Sequence, residues 1–81
     1  MGRVLDRPVN VRLEQGQPVG FSWQGVFYQV AKILDCWKDA GCWWEGESTK
    51  LFYRVAVSDG GLFELYRDTR KDTWFMYKIY D

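Results

Sequence analysis

The chain has 81 residues, no histidine, and 11 basic against 11 acidic side chains, so its formal net charge is zero. That balance is not typical of nucleic-acid-binding domains, in which basic residues dominate. The absence of histidine from the sequence also excludes histidine-based catalytic triads. We expect a single domain over residues 1–81, whose aromatic content of 19% supplies the large side chains that so small a core needs.

The N-terminal half predicts three strands joined by glycine-containing turns. Residues 1–7 are expected to form a flexible N-terminal arm. Apolar and polar side chains then alternate over residues 9–14 and again over residues 19–24, which is the pattern of a half-buried strand. Gln15-Gly16-Gln17 and Gln24-Gly25 mark the turns that follow them. A third run begins at residue 26 and is rich in β-branched and aromatic residues.

The segment over residues 31–40 fits two structures. Val30, Ile33, Leu34 and Trp37 have helical spacing, and Gly41 is a suitable residue to follow a helix C-terminus. The same segment continues the strand that begins at residue 26. The sequence favours the strand and leaves a short helix as the alternative.

The C-terminal half predicts three more strands. Residues 42–50 read as a loop, followed by strands over residues 51–57, 62–67 and 74–80. Ser58-Asp59-Gly60-Gly61 is the strongest hairpin turn in the chain, and residues 68–72 form a charged connection. The predicted fold is therefore all-β, with about six antiparallel strands in two meanders that form a small barrel or sandwich.

The same half carries a family resemblance. Trp43-Trp44, the Asp59-Gly60 turn, Trp74-Phe75 and the terminal Tyr80-Asp81 resemble a small bacterial family of unknown function whose genes often lie beside lesion-bypass DNA polymerase genes. Residues 39–81 are also similar to the C-terminal tail of the inactive Y-family polymerase homologue of the mutasome. The resemblance implies an accessory role in translesion synthesis and DNA repair, and no catalytic residues.

Three tryptophans are the predicted anchors for a protein partner. Trp43 and Trp44 lie next to each other in the predicted loop, and tryptophan is enriched among the residues that dominate binding energy at interfaces. Trp74 opens the last strand and is the third anchor. The alternative is that Trp43 and Trp44 simply cap the core. The expected function is a non-enzymatic accessory module that binds a protein, and a lesion-bypass polymerase is the partner that the resemblance implies.

Single-stranded nucleic acid is the alternative ligand. Basic and aromatic side chains interleave along the last strands, as on surfaces that stack bases without sequence preference. Acidic side chains in the same segment cancel the charge, which predicts weak binding. The residues that would form this site are Arg54, Tyr66, Arg67, Arg70, Lys71 and Lys78.

The last strand is apolar on both predicted faces. Strict alternation places Trp74, Met76 and Tyr80 on one face, with Phe75, Tyr77 and Ile79 on the other. A strand with two apolar faces is central in a sheet or lies at an interface. The sequence therefore predicts either a tightly curled sheet or a face that packs against a partner, including a second copy in a homodimer.

The remaining polar residues predict neither catalysis nor a bound ion or cofactor. Cys36 and Cys42 are the only cysteines. With no apolar run of about 18 residues and no signal-peptide pattern, we expect a cytoplasmic protein with no membrane partner, in which these residues stay as thiols. A disulfide, or a four-cysteine metal site shared across a dimer, is the alternative. The acidic pairs Asp35/Asp39 and Glu45/Glu47 are expected to be solvated.

Overall fold

The part of the chain that the structure describes forms one antiparallel sheet of seven strands and contains no helix. The computed structural model describes residues 3–39 and 49–80. The strands follow each other along the sheet in the order β1-β7-β6-β5-β4-β3-β2. Their bounds are β1 (Arg3–Pro8), β2 (Asn10–Glu14), β3 (Gln17–Trp23), β4 (Val26–Asp39), β5 (Lys50–Val57), β6 (Leu62–Asp68) and β7 (Thr73–Tyr80).

The predicted hairpin turns are confirmed. Gln15 and Gly16 both have positive φ, at 53° and 79°, and Gln24 and Gly25 repeat the pattern at 51° and 80°. Two successive positive φ angles define the turn whose twist matches that of the flanking strands. Each turn therefore fixes the pairing of the two strands it joins.

Residues 3–8 form a strand, where the sequence predicted a flexible arm over residues 1–7. Arg3–Pro8 pairs antiparallel with β7 at one edge of the sheet, and the Val9 amide donates to the Trp74 carbonyl at 3.0 Å. Only Val9 separates β1 from β2, which lies at the opposite edge. A chain that passes from one edge to the other in a single residue requires the sheet to curl, so the architecture is a half-barrel.

The segment over residues 31–39 is strand, so the helical alternative is wrong there. β4 runs for 14 residues to Asp39. Its pairing with β5 shifts twice, between Val30 and Lys32 and between Ile33 and Asp35. Each shift adds a residue that breaks the strict alternation of faces. The first shift places Val30 and Ile33 on the core face although they are three residues apart, which resembles helical spacing.

The core lies on the concave face of the curled sheet. Phe21, Val55, Leu65 and Met76 have no exposed surface there, and they form one cluster with Val9, Trp23, Val57, Phe63 and Trp74. The all-β antiparallel class is thus confirmed. Residues 3–39 and 49–80 contain seven strands and not six, and β2 to β7 form one continuous meander in place of the predicted two. Within the described residues no helix is long and apolar enough to cross a membrane.

Candidate functional site: an aromatic row on the outer face

The face of β4–β7 that points away from the core carries a row of aromatic rings, one from each strand. The pairing places Trp37 opposite Phe52, Phe52 opposite Tyr66 and Tyr66 opposite Phe75. Paired residues of neighbouring strands project from the same face of a sheet. We call this surface the outer face and these four rings the aromatic row.

The rings of the aromatic row are in mutual contact. Trp37 and Phe52 stack with their centroids 5.4 Å apart and their planes 1° from parallel. The Phe52–Tyr66 and Tyr66–Phe75 centroid distances are both 5.1 Å. Phe52 and Tyr66 are each only 5% exposed, whereas Trp37 and Phe75 at the two ends are half-buried. The end rings are therefore the parts of the row that another molecule can reach.

A bulge in β7 brings further aromatic side chains to the outer face. Leu65 pairs with Met76 and Glu64 pairs with Lys78, so Tyr77 is the extra residue. Tyr77 packs edge-on against Phe52 at 4.9 Å. After the bulge the alternation is reversed, so Ile79 packs on the core and Tyr80 lies on the outer face. The predicted assignment of these last two residues was therefore wrong, because a one-residue bulge exchanges the faces.

One charged row flanks the aromatic row and centres on Glu64, whose side chain is only 2% exposed. The Arg54 Nε donates to Glu64 Oε2 at 2.9 Å, and the Tyr80 hydroxyl donates to the same oxygen at 2.6 Å. The hydrogen bond to Glu64 raises the pKa of Arg54 and, independently, the pKa of Tyr80. The pairing completes this row with Asp35 and Lys78.

The Arg54 guanidinium is held between two rings. It lies 5.6 Å from the centroid of Trp37 and 5.9 Å from that of Tyr80. Lys78 lies over Tyr77 at 5.4 Å in a similar way. A cation over an aromatic face is attracted by the electron density of the ring. Arg54 is thus held by a carboxylate and two rings, and Lys78 is held by a ring.

A second charged row flanks the aromatic row on its other side. It consists of Asp39, Lys50, Asp68 and Thr73. The Lys50 ammonium lies 5.2 Å from the Tyr66 centroid. The carboxylate of Asp68 accepts hydrogen bonds from the backbone amides of Arg70 and Lys71 at 3.1 and 3.2 Å. These bonds stabilise the turn that leads to β7.

Tyr66 links the aromatic row to the edge strand β1. Burial raises its pKa strongly, and a hydrogen bond to the carboxylate of Asp6 raises it further. Asp6 has a φ of 51°, a conformation that is uncommon for a residue with a side chain. The N-terminal strand is therefore attached to the outer face by a side-chain contact as well as by its pairing with β7.

The structure brings together only part of the predicted sites. Arg54, Tyr66 and Lys78 share the outer face, but the Arg67 Nε donates to Asp72 at 2.8 Å beside the core side of β6. Arg70 and Lys71 lie in the connection after β6. Trp74 is 7% exposed and packs against Tyr53 at 5.4 Å, so the expectation of an exposed anchor there was wrong.

Some predicted residues fall outside the described part of the chain, and others were missed. Trp43, Trp44, Cys42 and the acidic pair Glu45/Glu47 lie outside residues 3–39 and 49–80. Cys36 is described and is an exposed, free thiol. The residues that sequence reasoning missed are Trp37, Phe52 and Lys50. The available signal was Phe52, an aromatic residue between Lys50 and Arg54 on the face of the strand that the alternation predicts to be polar.

A family model described as "Domain of unknown function (DUF6504)" matches residues 1–81. No curated protein and no solved structure matches the chain. The link to lesion-bypass polymerases therefore stays a prediction from the resemblance.

Proposed function

We propose that this chain, which belongs to the DUF6504 family of domains of unknown function, is a non-enzymatic module that binds protein through its outer face. The observation that carries the proposal is the aromatic row. A domain of 81 residues needs one core, and the concave face already supplies it. Aromatic side chains with partly exposed ends on the opposite face are what protein interfaces are enriched in.

The charges on the outer face favour protein over nucleic acid as the ligand. The two charged rows contain three cations, Lys50, Arg54 and Lys78, against four carboxylates, Asp35, Asp39, Glu64 and Asp68. A nucleic acid is bound mainly through unneutralised cations that displace counterions from its phosphates. A face without excess positive charge lacks that contribution, whereas protein interfaces do not need it.

The resemblance supplies a class of partner for the proposal. A bacterial lesion-bypass polymerase is the partner that we propose, with this chain as an accessory protein in translesion synthesis and DNA repair. Trp43 and Trp44 stay proposed anchors, and Trp37 and Phe75 are added to them because they are the reachable ends of the aromatic row. Trp74 is withdrawn because it lies in the core.

The test is capture of the partner from nuclease-treated lysate of the host, with identification by mass spectrometry. The baits are the wild type, Trp37→Ala, Phe75→Ala and the control Leu13→Ser, which changes an apolar residue on β2 that is 42% exposed and lies away from the outer face. Circular dichroism confirms that each variant is folded. A polymerase captured by the wild type and the control but lost with both ring variants supports the proposal. Captured proteins that do not differ among the four baits contradict it.

The nucleic-acid alternative has its own test on the same protein. Trp37 lies at the end of the aromatic row, so a base that stacks there quenches tryptophan fluorescence. A single-stranded oligonucleotide is titrated at low salt and again at physiological salt. Quenching that is lost in Trp37→Ala and weakens as salt rises would favour the alternative over protein binding.

A further inference from the structure

We infer that the cleft where β1 passes into β2 binds the carboxylate group of an organic acid. The cleft has a volume of about 510 Å³ and lies between residues 7–10, residues 22–24 and Thr73. Sites for small molecules measure roughly 300–1,000 Å³. No ring of the aromatic row lines the cleft, so the inference goes beyond the proposed function.

Arg7 lies on the core side of the sheet, at its edge. It pairs with Met76, which has no exposed surface, and paired residues project from the same face of a sheet. Leu5 and Val9, two residues before and after Arg7, both pack with the core cluster. Arg7 itself is exposed, because β1 is an edge strand. The strand therefore places a charged side chain beside the core, where the cleft opens.

The Arg7 guanidinium has no counter-ion. In the part of the chain that the structure describes, no hydrogen bond or ion pair involves this side chain. The preceding residue, Asp6, is hydrogen-bonded to Tyr66 on the outer face. Asp72, just before β7, accepts a hydrogen bond from the Arg67 Nε at 2.8 Å. None of the residues that line the cleft is acidic, so Arg7 gives it one net positive charge, which attracts an anion.

The rest of the cleft combines apolar surface with neutral polar groups. Val9 and Trp23 are each 9% exposed and are the buried part of the lining. Asn10 and Gln24 contribute exposed side-chain amides. The Thr73 hydroxyl donates to a backbone carbonyl at 3.1 Å, so it offers a ligand its oxygen lone pairs. Apolar surface with a few polar groups that fix orientation is the usual composition of a small-molecule site.

A carboxylate matches this lining better than a phosphate does. A phosphate monoester carries a charge of about −1.5 to −2 at pH 7, and proteins bind it with several cations or with the N-terminus of a helix. The cleft has one cation, and the described strands include no helix. A single planar guanidinium binds one carboxylate through two parallel N–H···O bonds. The carboxylate has two possible sources, a free organic acid and the C-terminus of a polypeptide.

The main test is a titration of the isotope-labelled protein with benzoate at pH 7, followed by two-dimensional NMR. Benzamide is the matched neutral probe. We expect benzoate to shift the side-chain amide signals of Asn10 and Gln24 and the indole signal of Trp23, with saturation and a dissociation constant in the millimolar range that is usual for so small a probe. Benzamide is expected to leave them in place. Equal shifts with both probes, or none with benzoate, overturn the inference.

Variants of Arg7 test whether the guanidinium holds the probe. Arg7→Gln removes the charge and is expected to weaken benzoate binding about tenfold. Arg7→Lys keeps the charge but loses the planar fork, so binding should weaken about threefold. The control is Arg12→Gln, which removes an exposed cation of β2 that does not line the cleft and should leave the dissociation constant unchanged. Equal dissociation constants for the wild type and Arg7→Gln, with both spectra those of a folded protein, contradict the inference.

Two further probes identify the anion and its source. Inorganic phosphate that binds the cleft as tightly as benzoate overturns the carboxylate as the ligand. An acetylated alanine tripeptide with a free C-terminus is compared with the same peptide as its C-terminal amide. Binding of the acid but not of the amide, more tightly than benzoate, supports the site and assigns it to a polypeptide C-terminus. Binding of benzoate without a response to either peptide supports the site and assigns it to a free acid.

Discussion

The hydrogen bond from Tyr80 to Glu64 gives a prediction about stability that tests the outer face directly. Tyr80→Phe removes the hydroxyl that donates to Glu64 Oε2 at 2.6 Å and keeps the ring. A hydrogen bond to a charged group contributes about 1.5–3 kcal/mol. Glu64 is almost fully buried, so water does not replace the lost donor. We expect the free energy of unfolding to fall by about 2 kcal/mol.

The second partner of Glu64 limits the size of this effect. Arg54 also binds Glu64 Oε2, and its side chain is 41% exposed. Solvent weakens the attraction of an exposed ion pair, so Arg54 alone does not compensate for the missing hydroxyl. In a Glu64→Gln background the acceptor is neutral, and a neutral hydrogen bond contributes about 0.5–1.5 kcal/mol. Tyr80→Phe is therefore expected to cost about 1 kcal/mol less there than in the wild type.

The assay is urea unfolding at pH 7 followed by tryptophan fluorescence, over the four proteins of this double-mutant cycle. Tyr77→Phe is the matched control, because Tyr77 lies on the same strand and no hydrogen bond joins its hydroxyl to another residue within 3–39 or 49–80. Its expected effect is below about 0.5 kcal/mol. The reasoning is refuted if Tyr80→Phe is no more destabilising than Tyr77→Phe, or if its effect is unchanged by Glu64→Gln.

Three further predictions concern the sheet. The raised pKa values of Tyr66 and Tyr80 favour their neutral forms in the folded state. Their contribution to the free energy of unfolding is therefore complete below pH 10 and is lost as the pH rises above it. Tyr66→Phe should reduce this loss of stability in unfolding experiments from pH 8 to 12. Gly25→Ala should destabilise the protein by about 1–2 kcal/mol because φ at this turn residue is +80°. Ser22→Ala, on the strand that leads into the turn, is the control. A Cβ on Gly20 would lie 2.3 Å from Phe27 Cζ, because the Phe27 ring covers this glycine. Gly20→Ala displaces the ring, whereas Phe27→Ala removes it. Phe27→Ala should therefore lower the free energy of unfolding more than Gly20→Ala does.

The parts of this fold that local chemistry determines were predictable from the sequence. Gln-Gly pairs in turns and alternation over residues 51–57 predicted strands that the structure confirms. The edge strand β1 was not predictable in the same way. Its Val4-Leu5 pair is followed by Asp6 and Arg7, and its position depends on pairing with β7, some 70 residues away in sequence. Long-range pairing of this kind has no local signature.

The aromatic row was hidden for a related reason. Its members come from four strands, and only the register brings them into line. Bulges in β4 and β7 set that register. The alternation of apolar and polar residues does not show where a bulge lies. Sequence reasoning therefore recognised that the last strand is apolar on both faces but assigned Ile79 and Tyr80 to the wrong ones. The same bulge that defeated the assignment brings Tyr77 and Lys78 to the outer face together.

The outer face is organised to hold its cations still. Lys50, Arg54 and Lys78 each lie over a ring, and the carboxylates between them are provided by neighbouring strands. A fixed charge loses less conformational entropy on binding than a free one. Because the rows are close to neutral, that order adds little to long-range attraction and instead determines which surface fits.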